Sequence, residues 1–161
     1  ARWLTTRSKR FCTVPNDDRA VVTSSIARSR LDSVASALAA VNALVEEGMV
    51  ENAARMGEVM RGHMERLAAK HRCIKEHRNI GLFGTIELRK NSKNERLVPY
   101  AGAHPVMPKV GKFLKDNGLF TVLQWSTLMC NPPLCINEAQ MADGFGIIDR
   151  ALDLVDDVFE G

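Results

Sequence analysis

The sequence lacks the hallmarks of several protein classes. No apolar run approaches the roughly 18 residues that a membrane-spanning helix needs, and no apolar segment has the form of a secretory signal. Four cysteines in 161 residues are too few for a disulfide framework in a chain of this length, so we expect reduced thiols and a cytoplasmic location. These absences argue against a membrane protein, a collagen and a disulfide-stapled scaffold.

A large excess of charge of one sign is also missing. The 22 basic and 19 acidic side chains leave a net charge of +3, so we expect no nucleic-acid partner. The charge is unevenly spread, because residues 1–30 have a balance of +5, which leaves −2 for the rest. This segment is rich in serine and threonine and has no sustained periodicity. It predicts a basic, poorly structured arm over 1–31, with a targeting segment or a nucleic-acid-contacting tail as alternatives.

The hydrophobic pattern then predicts one domain over 32–161. A first helix is expected to begin at Asp32 or Ser33 as N-cap and to stop at Gly48, and a second to run from Val50 to Lys70. Small residues in the second helix are expected to let another element approach closely. The predicted buried stripe of that helix is Val50, Ala53, Gly57, Met60, Met64 and Leu67.

Two segments rich in β-forming residues predict strands, at 80–88 and at 119–125. The two glycines in the first segment indicate a bulge or a close backbone approach. Between the strands, a third helix is expected to open at Pro105 or Pro108 and to end at Asn117–Gly118.

The clearest amphipathic helix is the last one. A short extended piece is predicted at 134–136, and Asn137 with Gln140 then forms a capping-box-like start. The order of elements predicts an α+β fold in which helices cover one face of a small, mainly antiparallel sheet. The predicted buried stripe of the last helix is Met141, Phe145, Ile148, Leu152, Val155 and Phe159.

Residues that could carry chemistry are sparse. His71, Cys73 and His77 match no zinc spacing, so we expect exposed polar residues at a helix end and no metal site. Cys130 and Cys135 flank two prolines and do not form the Cys-x-x-Cys of redox sites, which favours a structural role. Phosphate-loop, nucleophile-elbow and metalloprotease motifs are absent. Residue types and spacing alone therefore lead only to an α+β domain.

Three stretches resemble the class III aminotransferases, which are pyridoxal-phosphate enzymes of fold type I. Residues 44–57 are similar to the helix pair that opens the small domain of that family. Residues 78–88 are similar to its Arg-Gly-x-Gly-Leu-x-x-x-x-Glu-Leu strand entry. Residues 117–121, followed by 131–136 and a terminal helix, resemble its C-terminal signature. The resemblance covers about residues 33–161 and is closest to the taurine–pyruvate and omega-amino-acid–pyruvate group.

The resemblance implies transfer of an amino group from an amine or amino acid to a 2-oxo acid such as pyruvate, by a homo-oligomer that uses pyridoxal 5′-phosphate. In this family the Schiff-base lysine and the aspartate on the pyridine nitrogen lie in a large domain upstream. The family's threonine that reaches a cofactor phosphate has no counterpart in Arg28–Ser33. We therefore expect a truncated C-terminal small domain, inactive alone, without catalytic or cofactor-binding residues and without bound cofactor.

The resemblance assigns substrate binding to Arg78, Gln124 and Trp125. Gln124 stands where relatives carry an arginine, and glutamine can hydrogen-bond a carboxylate without supplying charge. Arg78 has a structural alternative, which is to pair with Glu87. A different class of function is also open, namely a noncatalytic stand-alone interaction module that retains the small-domain fold and binds a partner through its apolar helix stripe.

Overall fold

The computed structural model describes the backbone of residues 25–161 and the side chains of residues 33–161. The predicted arm, 1–31, lies outside the described side chains and stays a prediction. The chain divides into two compact units, Ala1–Met49 and Val50–Gly161, and each is described by itself.

The first unit contains helix α1, Ser25–Glu46. The prediction of Asp32 or Ser33 as its N-cap is wrong, because both residues lie inside the helix. No glycine or proline stands between Ser25 and Ser33, so nothing in the backbone stops the helix from extending upstream. The predicted end is confirmed, since Gly48 has a φ of 59° and its N–H donates to the Val45 carbonyl at 3.2 Å.

The second unit combines helices with one four-stranded sheet, which confirms the predicted α+β class. The strand order is β1-β2-β4-β3, and every neighbouring pair is antiparallel. The elements in chain order are α2 (Met49–Lys70), β1 (Ile74–Ile80), β2 (Phe83–Leu88), α3 (Val106–Asp116), β3 (Leu123–Gln124), β4 (Thr127–Cys130) and α4 (Glu138–Asp156).

Within the described part of the chain, no single helix is long and apolar enough to cross a membrane. Only α1 and α2 taken together across their break reach that length and composition.

One face of the sheet is buried and the other is open. Burial alternates along β2, with Gly84, Ile86 and Leu88 buried and the residues between them exposed or half-buried. Helix α2 covers the buried face with Met60 and Met64, which are fully buried together with Met56 and confirm the predicted core role of these methionines. Residues paired across the strands share a face, so the open face, called the outer sheet face below, consists of Glu76, Arg78, Ile80, Phe83, Thr85, Glu87, Thr127, Met129 and Gln124.

The predicted stripe of α2 is confirmed from Gly57 to Leu67, whereas Ala53 is half-buried and Val50 is exposed. Val50, in the first helical turn, is 65% exposed, because it lines an open groove rather than the core. The predicted close approach lies at Gly57, where an added Cβ would stand 2.6 Å from the Cα of Gly81. The amide of Asn79 ties this contact by donating to the carbonyls of both glycines at 2.9 Å.

The strand predicted at 80–88 is confirmed over Phe83–Leu88, but its start is wrong, because Ile80 ends the preceding strand and Gly81 and Leu82 form a hairpin turn. Gly81 has a φ of 53° while Leu82 does not have a positive φ, the pattern of a type II′ turn with glycine at its first central position. The preceding strand β1 escaped prediction because residues 75–79 are all polar or charged. This composition suits an edge strand with an open face.

The strand predicted at 119–125 is mostly wrong as well. Only Leu123–Gln124 forms a strand there, and the chain then reverses at Trp125 and Ser126 into β4, which pairs with β2. The short extended piece predicted at 134–136 is a turn at Leu134 and Cys135 instead, because two prolines precede it and the N-cap of α4 follows at once.

The two later helices confirm their predictions. Pro105 is the N-cap of α3, Val110 and Leu114 are buried, and Gly118 follows the helix with a φ of 85°. The Asn137–Gln140 capping box opens α4. The predicted α4 stripe is buried, except for Phe159, which lies beyond the helix end and is half-buried. The guanidiniums of Arg72 and Arg89 stand over its ring.

We predict that Gly57→Ala lowers the free energy of unfolding by about 1–3 kcal/mol, because its Cβ meets the backbone of Gly81 and neither element can yield without repacking. Gly62→Ala is the matched control on the same helix, since nothing lies within 4 Å of an added Cβ, and it should stabilise by up to about 1 kcal/mol. Urea denaturation measures both. Equal effects of the two substitutions would contradict the close approach.

Candidate functional site

The three predicted substrate-binding residues lie at two opposite edges of the sheet. Gln124 is in β3 and Trp125 follows it, while Arg78 is in β1. Since β1 and β3 are the two outermost strands, about three interstrand spacings of about 4.8 Å separate their backbones. The structure brings Gln124 and Trp125 together and places Arg78 far from both.

Arg78 is surrounded by carboxylates of its own sheet. Its guanidinium lies 2.8 Å from the Glu76 carboxylate and 3.7 Å from that of Glu87. Glu76 and Glu87 are cross-strand neighbours, and two like charges in that position repel each other. Lys75 adds a second cation 3.4 Å from Glu87. Arg78 therefore helps to neutralise its own strand pair, although its side chain is still 66% exposed.

The turn between β3 and β4 holds Trp125 in a strained conformation. Trp125 has a φ of 51°, which is unfavourable for a residue with a Cβ and persists only when the surroundings fix it. The next residue supplies that constraint, because the buried Ser126 hydroxyl donates to the Val98 carbonyl at 2.9 Å and accepts from the Val98 N–H at 2.7 Å. The Ser126 carbonyl also accepts from the Leu88 N–H at 2.8 Å.

Tyr100 is a neighbour of this site that the sequence did not indicate. Its ring centroid lies 4.6 Å from that of Trp125 at an interplanar angle of 46°. Tyr100 follows Pro99 in a loop with no periodicity, and the two bonds between Ser126 and Val98 help to bring the two rings together. Gln124, Trp125 and Tyr100 thus form a surface with one amide and two aromatic rings.

Two open grooves lie elsewhere on the second unit, and neither includes the predicted substrate residues. The first, of about 530 Å³, is apolar and lies between the start of α2, the β1–β2 turn and the 131–134 loop. The Asn52 amide fixes that loop by donating to the carbonyls of Leu134 and Ile136 at 2.7 and 3.0 Å. The second, of about 420 Å³, lies between the start of α3 and the end of α4.

His71 is buried, which corrects the prediction that it is an exposed residue at a helix end. Its side chain is 1% exposed, with Nε2 2.7 Å from Asp149 and Nδ1 2.7 Å from Asp156. The ring is thus held by one carboxylate at each nitrogen, and both carboxylates belong to α4. The Asp156 carboxylate also accepts from the Cys73 N–H at 2.8 Å. The local spacing of residues 71–77 could not show this, because the partners come from α4.

Lys70 completes this cluster from its solvent side. Its ammonium lies 2.7 Å from Asp149, and this hydrogen bond is the main reason why the pKa of Asp149 is lowered and that of Lys70 is raised. The nearby Asp153 carboxylate is 3.9 Å from His71 and mostly exposed. The whole cluster joins the end of α2 to α4.

The described cysteines are free, and Cys73 and Cys130 are buried. Burial raises the pKa of the Cys130 thiol to about 12, and burial is also the main cause that raises the pKa of Cys73. Cys135 is exposed. These observations agree with a structural role for Cys130.

The described residues do not fit pyridoxal 5′-phosphate or a metal ion. A Schiff base needs a lysine that can become a neutral amine, but no lysine in residues 33–161 is buried. The carboxylate partners of Lys70 and Lys90 raise the pKa of each ammonium and so favour its charged form. In the same part of the chain, no group of three or more His, Cys, Asp or Glu residues could hold a metal.

Comparison with known proteins finds one family. The model of the class-III aminotransferase family matches residues 32–152. Taurine–pyruvate aminotransferase of Bilophila wadsworthia is 28% identical over 132 residues, which cover 78% of this chain and 28% of that protein. Ethanolamine-phosphate phospho-lyase homolog 1 of Caenorhabditis elegans is 27% identical over 124 residues, which cover 75% of this chain and 26% of that protein.

The fold is similar to solved transaminases. The structure of taurine:2-oxoglutarate aminotransferase from Bifidobacterium kashiwanohense, in complex with PLP and glutamate, superposes with a TM-score of 0.74 at 30% identity. The match covers 78% of this chain and 28% of that one. The chain thus spans about a quarter of the length of the proteins that it matches.

We predict that Asp149→Asn lowers the free energy of unfolding at pH 7 by about 1–3 kcal/mol, because a neutral amide replaces the carboxylate that contacts both the buried His71 ring and the Lys70 ammonium. A carboxyl whose folded-state pKa is lowered stabilises the fold above its unfolded pKa of about 3.9, and this contribution is lost as pH falls through the folded pKa. The variant should therefore lose less stability than the parent between about pH 5 and pH 2. Asp153→Asn, on the same helix, is the control with a small effect. Parallel pH profiles of parent and Asp149→Asn would contradict this account.

Proposed function

Because the chain belongs to the class-III aminotransferase family, we propose that it forms the small domain of a pyridoxal-phosphate-dependent transaminase. The reaction is transfer of an amino group from an amine or amino acid to a 2-oxo acid such as pyruvate. The match of residues 32–152 to the family carries this proposal. The TM-score of 0.74 with a transaminase that holds PLP and glutamate supports it.

In this proposal the cofactor is held outside the described residues, and the chain binds none by itself. The observation behind it is that the lysines of residues 33–161 are exposed or half-buried, and four of them are paired with carboxylates. Pairing stabilises the ammonium and opposes imine formation. The paired lysines are Lys70, Lys75, Lys90 and Lys112.

The chain's own contribution is the substrate side of the site. Gln124 presents an uncharged amide that can hydrogen-bond a substrate carboxylate without neutralising it. Trp125 and Tyr100 add an aromatic wall whose position is fixed by the Ser126–Val98 hydrogen bonds. Such a surface excludes water and orients a substrate when the domain closes. Arg78 serves the sheet instead, because its guanidinium is shared between two carboxylates at the opposite edge.

A noncatalytic interaction module is the second candidate, and α1 favours it. Residues 33–45 contain no charged side chain, and four of their apolar residues recur at intervals of four, three and four. A stripe this narrow is typical of a helix that packs on another helix. All four are more than half exposed: Val34, Leu38, Val41 and Val45.

We predict that the purified chain, mixed with pyridoxal 5′-phosphate, shows no stoichiometric cofactor absorbance band and does not transaminate pyruvate. Borohydride reduction followed by peptide mapping should find scattered, substoichiometric labelling, since no described lysine is set apart from the others by burial. Taurine–pyruvate aminotransferase of Bilophila wadsworthia serves as the positive control. Labelling of one lysine at one equivalent, with turnover abolished by its substitution, would show that the cofactor site lies within this chain.

A further inference from the structure

Strand β1 is an edge strand with an open side. In the sheet order β1-β2-β4-β3, β1 pairs with β2 alone, and no other strand of the described residues lies beside it. An edge of seven residues presents unpaired N–H and C=O groups to any strand that can match it.

The hairpin geometry shows which backbone groups of β1 are free. The two-residue turn makes Ile80 and Phe83 the hydrogen-bonded pair that closes the hairpin. Bonded and non-bonded pairs alternate, so Arg78 and Glu76 also bond to β2, whereas His77 and Asn79 direct their N–H and C=O groups away from it. The same alternation is visible beyond β2, where the Arg89 N–H reaches back to the Cys73 carbonyl at 2.7 Å.

The side chains around His77 are arranged to match a second copy of the same strand. Glu76 precedes His77 and Arg78 follows it. These two oppositely charged side chains both lie on the outer sheet face. If two copies run antiparallel with their His77 residues opposite each other, Glu76 of each copy lies opposite Arg78 of the other. The arrangement also uses the backbone groups that β2 leaves free. Lys75 then faces Asn79, so no two like charges meet.

We propose that a second copy of this chain pairs with β1 along this edge, antiparallel and centred on His77, so that one sheet continues across both copies. Glu76 and Arg78 select the register. Their side chains are 48% and 66% exposed, which leaves them accessible to a second copy beyond their 2.8 Å contact with each other.

Other ways of pairing two β1 strands place like charges opposite each other or mismatch the two faces of the sheet. Parallel pairing in register would place Glu76 on Glu76 and Arg78 on Arg78, which is unfavourable for directly opposite like charges. Antiparallel pairing centred on Arg78 or on Glu76 would use the same free backbone groups, but it places two like charges directly opposite each other at the centre. A shift by one residue would turn the outer sheet face of one copy toward the buried side of the other. The charge pattern therefore favours one two-fold arrangement.

Charge reversal tests the register. In sedimentation equilibrium at micromolar concentration, the parent should dimerise, and Glu76→Arg and Arg78→Glu should each raise the dimer Kd by about tenfold or more, because each creates two like-charge contacts per dimer. The double variant carrying both reversals restores the complementarity and should return to within about threefold of the parent. Lys115→Glu, on the exposed side of α3, is the matched control and should not change the Kd. Circular dichroism checks that each variant is folded.

Three results would overturn the proposal: a parent that remains monomeric, single variants that dimerise like the parent, or a double variant that fails to recover. The readout is association and needs neither cofactor nor substrate, so it is independent of the proposed function.

Hydrogen exchange on the parent gives a second test that needs no substitution. On dilution from dimer to monomer, the His77 and Asn79 amides should exchange faster, whereas the Glu76 and Arg78 amides, already bonded to β2, should not change. Amides within α3 are the internal reference. Protection that changes in residues 33–45 instead would place the contact on the apolar stripe of α1 and would also overturn the proposal.

Discussion

The second unit depends on one buried histidine. His71 lies between α2 and β1, and its two ring nitrogens are 2.7 Å from carboxylates that lie two turns apart on α4. Removing either carboxylate would leave a buried ring nitrogen without its hydrogen-bond partner, which costs more than the intact bond contributes. The Asp156 carboxylate also receives the Cys73 N–H, so the same group that holds the ring fixes the chain just before the sheet begins.

The position of the sheet follows from this anchor at one end and from a glycine contact at the other. Cys73 sets the start of β1, and Gly57 against Gly81 sets the turn that follows it. Between the two, the α2 methionines fill the space under β2. The outer sheet face is thereby left uncovered by described residues of the second unit. The two edges of the sheet differ in chemistry. The β1 edge carries the charged pair Glu76 and Arg78, and the β3 edge carries the Gln124 amide with the Trp125 and Tyr100 rings beside it.

Periodicity predicted the helices well, because a buried stripe repeats within the helix itself. The capping box of α4 and the glycines after α1 and α3 were equally local. The strands were harder, because β1 consists largely of polar residues and the reversal at Trp125 depends on a serine bonded to Val98, 28 residues away in sequence. His71 and Tyr100 escaped prediction for the same reason. Each acquires its role from a distant partner, whether the carboxylates of α4 or the ring of Trp125, and nothing in the neighbouring sequence records that partner.

The central claim is that this chain is part of a transaminase rather than a module that works alone. The size of the native protein tests it most directly. An antibody raised against residues 50–161, the second compact unit, should detect a native polypeptide about as long as the matched relatives, of which this chain spans about a quarter. Mass spectrometry of that band should identify these residues within it. A single native band at 17.8 kDa, with no longer species, would contradict the claim and favour the stand-alone module.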